Sequence, residues 1–288
     1  EIDAGNATSL QLGASDALPD GNYAWTVRAV DAMGNSRTSS NTGRFRVETS
    51  KPPAARLDVP ADGSWVRTRT PELCWLPVVD AGRAGVVGYR VTIGATTLSV
   101  DASTTCATAP SLANGDHLWS VYAVDAAGND GDVTEPRTVR VDVTAPPAVT
   151  LSSPLDGAAT RTNPPVLRWV DTVDLPLGSN AAGVCTYLVT YDGDEIETPG
   201  PAATLTWPTA MLDGEVLWSV RAKDCAGNVG PASSLRRIVL DTGVPEPPTI
   251  LSPELNGLPL PNGTVVTWSA STDSLSGVCG YEVVVDGD

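Results

Sequence analysis

Five cysteines and a set of recurring carboxylates are the side chains whose types and spacing could do chemistry here. Cys74, Cys106, Cys185, Cys225 and Cys279 contain no Cys-x-x-Cys pair, which disfavours a zinc site. They suit disulfides in an oxidising compartment, and the alternative is buried free thiols. The acids recur in three settings. Asp80, Asp174 and Asp273 each stand five residues after a tryptophan; Asp31, Asp125 and Asp224 each open an Asp-x-x-Gly-Asn run; Glu48, Asp142 and Asp241 each stand just before a proline-containing stretch. Such groups either cap their own turns and face solvent, or supply oxygens to Ca²⁺, which takes about six to eight oxygen ligands. Nucleophilic catalysis has little to build on. His117 is the only histidine, and nothing in the sequence sets a nucleophile beside it. Asp192-Gly193-Asp194 is a hairpin-turn signal rather than a phosphate loop. A hydrolytic pair of carboxylates would need a pocket, and repeats without a deep insertion offer none. The chain reads as a non-enzyme.

The elements that must position these residues repeat. Trp218-Ser-Val-Arg-Ala-Lys-Asp-Cys-Ala-Gly-Asn228 has counterparts beginning at Trp25 and at Trp119, spaced by 94 and 99 residues. Trp218, Val220 and Ala222 alternate with longer or polar residues, which predicts a strand with one buried face. The Asp-x-x-Gly-Asn that follows is turn chemistry. A period near that length is one small domain. Other alternating stretches fall at fixed places in each period: Leu73 with Trp75 and Leu167 with Trp169; then Tyr89, Val91 and Ile93, matched by Tyr187, Val189 and Tyr191. Lys51-Pro-Pro53, Pro146-Pro147 and Pro245-Glu-Pro-Pro248 mark stiff, short linkers. The resulting organisation is 1–50 as the C-terminal half of a domain, 54–145 and 148–244 as full domains, and 247–288 as an N-terminal half. No apolar run approaches the length of a membrane-spanning helix. A net charge of −16 repels nucleic acid and anionic membrane, so neither is expected as a partner.

Short alternating strands punctuated by turns predict an all-β sandwich architecture. The pattern resembles tandem fibronectin type III or bacterial immunoglobulin-like repeats of secreted and cell-surface proteins. The resemblance is carried by the second-strand tryptophans (Trp75, Trp169, Trp268) and the third-strand tyrosines (Tyr89, Tyr187, Tyr281). Leu18, Leu112 and Met211, each three residues before a glycine, add to it, as does the sixth-strand tryptophan with its Asp-x-x-Gly-Asn. One departure is that sixth-strand tryptophan, where animal fibronectin domains usually carry tyrosine. The resemblance implies immunoglobulin-like sandwiches in an elongated rod.

It also implies which chemical residues meet. In that fold the loop before the third strand and the turn after the sixth lie at one end, so Cys185 and Cys225 would bond. Their equivalents one repeat earlier, Val87 and Ala126, are both replaced, as expected of a pair. Cys74, expected to point away from Trp75, would bond Cys106 on the adjacent strand; their equivalents Arg168 and Leu205 are likewise both replaced. Cys279 is left unpaired or bonded outside the chain. The same analogy groups Asp142, Asp174 and Asp224 at one junction and Glu48, Asp80 and Asp125 at another, as turn caps or as Ca²⁺ sites.

The chain also reads continuously across its ends. Tyr281–Asp288 followed by Glu1-Ile2 matches the run from Tyr187 to Ile196. This gives two expectations: a window on a longer array, or head-to-tail assembly in which one copy completes the next. The functional expectation is a structural segment of an extracellular or cell-surface stalk, fibre or adhesin, with filament formation by further copies of itself. The alternative is a spacer or binding module of a large secreted hydrolase.

Overall fold

A computed structural model describes residues 1–13, 17–175, 180–253 and 261–285, organised in two compact units, Glu1–Val141 and Asp142–Asp288. Every regular element among the described residues is a β-strand.

In the first unit, β1 (Gly21–Trp25) pairs antiparallel with a strand at Gly43–Val47, and β2 (Arg28–Val30) with β3 (Ser36–Thr38). With Gly43–Val47 as β4, the chain continues through β5 (Arg56–Leu57), β6 (Ser64–Val66), β7 (Glu72–Leu76) and β8 (Val86–Ile93). Then come β9 (Thr96–Asp101), β10 (Cys106–Thr108), β11 (Gly115–Asp125) and β12 (Arg137–Val141). β5 to β12 make a sandwich of a three-stranded sheet, β10-β7-β5, and a five-stranded sheet, β6-β12-β11-β8-β9. Only the β12–β6 pairing is parallel. β11 is the central strand, zipped to β12 over its first half and to β8 over its second. Its alternation sends Trp119, Val121 and Ala123 into the core, at most 1% exposed. Leu73 and Trp75 meet them from the other sheet. Trp75 packs edge-on against Tyr89 at 5.3 Å, a geometry that aromatic quadrupoles favour.

The second unit repeats this with β13 (Thr150–Ser153), β14 (Ala158–Thr160), β15 (Val166–Val170) and β16 (Val184–Tyr191). β17 (Asp194–Glu197), β18 (Thr204–Thr206), β19 (Gly214–Asp224) and β20 (Arg236–Leu240) complete it. The sheets are β13-β15-β18 and β14-β20-β19-β16-β17. Trp169 lies 5.2 Å from Tyr187, again edge-on. The Asp192-Gly193 turn between β16 and β17 has positive φ at both residues, 49° and 92°, as a tight hairpin requires. Last come β21 (Ile250–Ser252) and β22 (Thr267–Trp268), paired with each other.

One expectation changes. The strand opening at Trp25 does not run on as one long element; it splits into β1 and β2, and Trp25 is 53% exposed. β11 and β19 are held on both edges, whereas β1 and β2 have partners on one edge only among the described residues. Phe45, in β4, is 40% exposed and stacks on Tyr23 at 5.5 Å. Trp268 and Tyr281 likewise keep their mutual contact, at 5.5 Å, while Tyr281 and Val283 stay exposed. The last residues of the sequence match across the ends, 286–288, lie outside the described residues.

Candidate functional site

Chemistry concentrates where each linker meets the sandwich that follows it. In the second unit Asp224 is the last inward residue of β19, so strand alternation buries its carboxylate at the rim of the core, 2% exposed. Asp142 arrives on the linker and Asp174 on the loop after β15, and both are buried as well. Their carboxylates all lie within 4.8 Å of one another. Each oxygen nevertheless has an N–H donor. Asp142 accepts from Thr144 N at 2.9 Å and Ala182 N at 2.7 Å. Asp174 accepts from Leu175 N and Gly183 N, both at 2.9 Å. Asp224 accepts from Asn228 N and Asn228 Nδ2, both at 2.8 Å. Asp224 thus caps its own turn, whereas Asp142 and Asp174 also reach backbone amides 40 and 9 residues away, and the case for Ca²⁺ is the clustering of the three.

The first unit uses the same parts differently. Asp125 accepts from Ala127 N, Asn129 N and Asn129 Nδ2 at 2.8–2.9 Å. Asp80 accepts from Gly82 N and Gly85 N. Glu48 takes Arg83 N at 2.9 Å and Arg46 at 3.0 Å on one oxygen and the Ser50 hydroxyl on the other. Among the described residues Glu48, Asp80 and Asp125 do not form a three-carboxylate cluster like that in the second unit. The longer Glu48 side chain carries its charge to Arg46 and the Arg83 amide instead.

Two residue roles escape the sequence pattern. Asn129 and Asn228 look like turn formers, but Gly128 and Gly227 supply the positive φ, 88° and 93°. The asparagine amides hold the linker instead: Asn129 Nδ2 donates to Glu48 O at 3.1 Å and Ser50 O at 3.2 Å, and Asn228 Nδ2 to Asp142 O at 2.9 Å. The Asp of each motif orients its own Asn, and the Asn grips the chain. The signal was the recurrence of Asn immediately after a Gly that already made the turn. The other role belongs to Gly131 and Gly230, considered below.

The cysteines are placed plainly. Cys74 is bonded to Cys106, its direct cross-strand neighbour between β7 and β10. Cys74 was expected to point outward; it lies outside the core cluster that holds Leu73 and Trp75, yet is only 8% exposed because it is bonded to Cys106 against the sheet. Cys185, at the start of β16, is bonded to Cys225 in the turn after β19, beside the Asp142 clamp. Cys279 is a free, exposed thiol. His117 Nε2 lies 2.9 Å from Ala113 O, an exposed local contact with no nucleophile involved.

The two junctions have opposite acid responses. Burial raises the Asp174 pKa, and the neighbouring Asp142 and Asp224 charges raise it further. For Asp125 burial pushes up, but the Asn129 side-chain and backbone bonds outweigh it and the pKa is lowered. Glu48 is lowered by Ser50 and by the Arg83 amide. A raised carboxyl binds its proton more tightly when folded, so acidification through its folded pKa stabilises the fold. A lowered one keeps its stabilisation down to the unfolded carboxylate range, about 4, and loses it below. On lowering the pH from neutral, the amide of Gly183 should therefore gain exchange protection while those of Arg83 and Asn129 hold theirs, then lose it below about pH 4. Amide exchange corrected for intrinsic rate reads this; parallel behaviour of the two junctions would refute it.

No protein-family model matches the chain. It is 30% identical to exoglucanase A of Cellulomonas fimi over 236 residues, which is 77% of this chain and 26% of that enzyme. It is 31% identical to exoglucanase B of the same organism over 226 residues, 73% of this chain and 19% of the enzyme. Chitinase A1 of Niallia circulans is 30% identical over 179 residues, 60% of this chain and 24% of the enzyme. The chain thus spans about a quarter or less of the length of these relatives. Among solved structures, the fibronectin(III)-like modules of Clostridium thermocellum CbhA align at 17% identity and a TM-score of 0.47, covering 65% of this chain and 93% of theirs.

Proposed function

This chain is a tandem array of fibronectin type III-like β-sandwiches, and from that premise we propose that it is a non-catalytic spacer within a large secreted polysaccharide-degrading enzyme, acting outside the cell. The observation that carries this reading is the similarity just described, which takes in most of this chain but only 19–26% of glucanases and a chitinase. It favours the enzyme-associated alternative over a fibre or adhesin. We read the array itself as non-catalytic, because the stretch it matches is so small a part of each enzyme.

Spacer is preferred to carbohydrate-binding module on the placement of the aromatics. A flat polysaccharide surface is gripped by a row of exposed rings, and most rings of the two whole sandwiches go inward; Trp65 and Tyr122 are half-buried, Trp65 beneath the Arg140 guanidinium. Trp75, Trp119, Trp169, Trp207 and Trp218 are all at most 4% exposed. The linkers are gripped rather than loose, as suits an element that holds other domains apart. The expected result is that the 288-residue chain, mixed with crystalline cellulose or with chitin and centrifuged, stays in the supernatant. Depletion by either polymer that soluble oligosaccharide reverses would replace the spacer reading with a binding one.

A further inference from the structure

We propose that the turn after the sixth strand of each sandwich is a cradle that locks an extended, proline-containing linker onto the sandwich, and that the glycine two residues past the asparagine decides whether the lock can close. In the first unit the linker peptide at Pro52 lies directly against Gly131. A Cβ on Gly131 would come within 2.8 Å of Pro52 O and 3.0 Å of Ala123 O. Gly230 is tighter still against Pro146 O. Neither glycine is in a strained conformation, so space rather than φ demands it. Pro52 and Pro146 are buried although they belong to linkers.

Around this contact the lock has three further fastenings. The asparagine amide holds the linker carbonyls, as described. The linker acid reaches across to a backbone amide of the loop before the third strand: Glu48 to Arg83 N and Asp142 to Ala182 N. In the first unit Asp132 N also donates to Pro52 O at 3.0 Å. The cradle therefore recognises an acidic residue followed four residues later by proline, with the intervening carbonyls exposed to the asparagine.

The copy at β2–β3 has all of the turn but not the glycine. Asp31 accepts from Met33 N, Asn35 N and Asn35 Nδ2 at 2.8–2.9 Å, matching Asp125 bond for bond. The pairing Ala29↔Arg37 occupies the place of the Gly131 N to Ala123 O bond. Arg37 thus stands where Gly131 and Gly230 stand, beside an open pocket lined by Val30, Asp31 and Asn35. A segment entering by the Pro52 path would meet the Arg37 Cβ. That applies equally to the Pro245 linker of a second copy, so head-to-tail completion would not reproduce this lock.

The test is Gly131→Arg in the full chain, which installs the first copy's residue in the second. Each lost linker hydrogen bond is of the size that changes opening about tenfold. The expected result is exchange about tenfold or more faster at Arg83 N and Asp132 N, with Trp75 N and Ala109 N, core amides on the β7–β10 side, unchanged. Unchanged exchange at Arg83 and Asp132 would overturn the proposal. So would a uniform loss that includes the core in the milder Gly131→Ala variant, because the glycine would then serve the sandwich rather than the linker.

Discussion

Replacing Trp218 by alanine is expected to remove about 3–5 kcal/mol from the sandwich of β13–β20 and to leave the sandwich of β5–β12 as it was. Trp218 is fully buried at the middle of β19, paired in register with Tyr191 of β16 and Arg236 of β20. It joins one core cluster with Leu167, Trp169, Tyr187 and Val189. Alanine would leave a cavity that flanking strands hydrogen-bonded on both sides cannot collapse to fill. A small domain has about 5–15 kcal/mol in total, so the loss takes a large part of it. The two cores are separate clusters, so the change should not propagate. Because the chain has eight tryptophans, bulk fluorescence mixes the sandwiches. Amide exchange separates them: Val189 and Val220 should exchange much faster, with Val91 and Val121 unmoved. A loss under about 1 kcal/mol, below the range for large-to-small core changes, would mean the cavity refills and the core is not as tightly framed as described.

The strands and the core were legible because each rests on local periodicity. Trp119, Val121 and Ala123 announce a half-buried strand by spacing two, and the partners needed to bury them were present in the same repeat. Which carboxylates sit at one end of the sandwich was legible only through the repeat and the fold it resembles. What those carboxylates do was not. Asp125 and Asp224 continue the inward alternation past the hydrophobic residues, so their burial could be read from the strand. Their engagement by Asn129 and Asn228, and the grip of those amides on the linker, depend on contacts across about 80 residues, 81 for Asn129 and 86 for Asn228. No periodicity encodes such contacts. The same holds for Gly131 and Gly230. A glycine in a turn-rich stretch is unremarkable until a second segment is found lying against it. Residues 1–50 show the converse limit: the pattern at Trp25 is that of a central strand, but a strand pattern specifies burial only where a partner strand exists.

Opening the Cys185–Cys225 bond is the second large change expected. The bond closes a segment of 40 residues, and releasing that constraint on the unfolded chain costs about 4 kcal/mol in the loop-entropy account, within the usual range of about 2–5 for a native bridge. The other disulfide, Cys74–Cys106, closes 32 residues, so entropy alone gives the two nearly equal weight. Their placement separates them. Cys74 and Cys106 are register neighbours inside one sheet and reinforce contacts that hydrogen bonds already make. Cys185 and Cys225 join the loop side of β16 to the turn that carries Asp224 and Asn228, where the three buried carboxylates repel one another. The Cys185→Ser, Cys225→Ser double variant should therefore free the linker clamp first, with faster exchange at Ala182, Gly183 and Asn228, and lower the melting temperature of that sandwich. The corresponding Cys74→Ser, Cys106→Ser variant should lower global stability by a similar amount without singling out the junction. If the junction amides of the first double variant keep their protection while the whole sandwich weakens, the bridge acts on the unfolded chain alone. The clamp then stands without it.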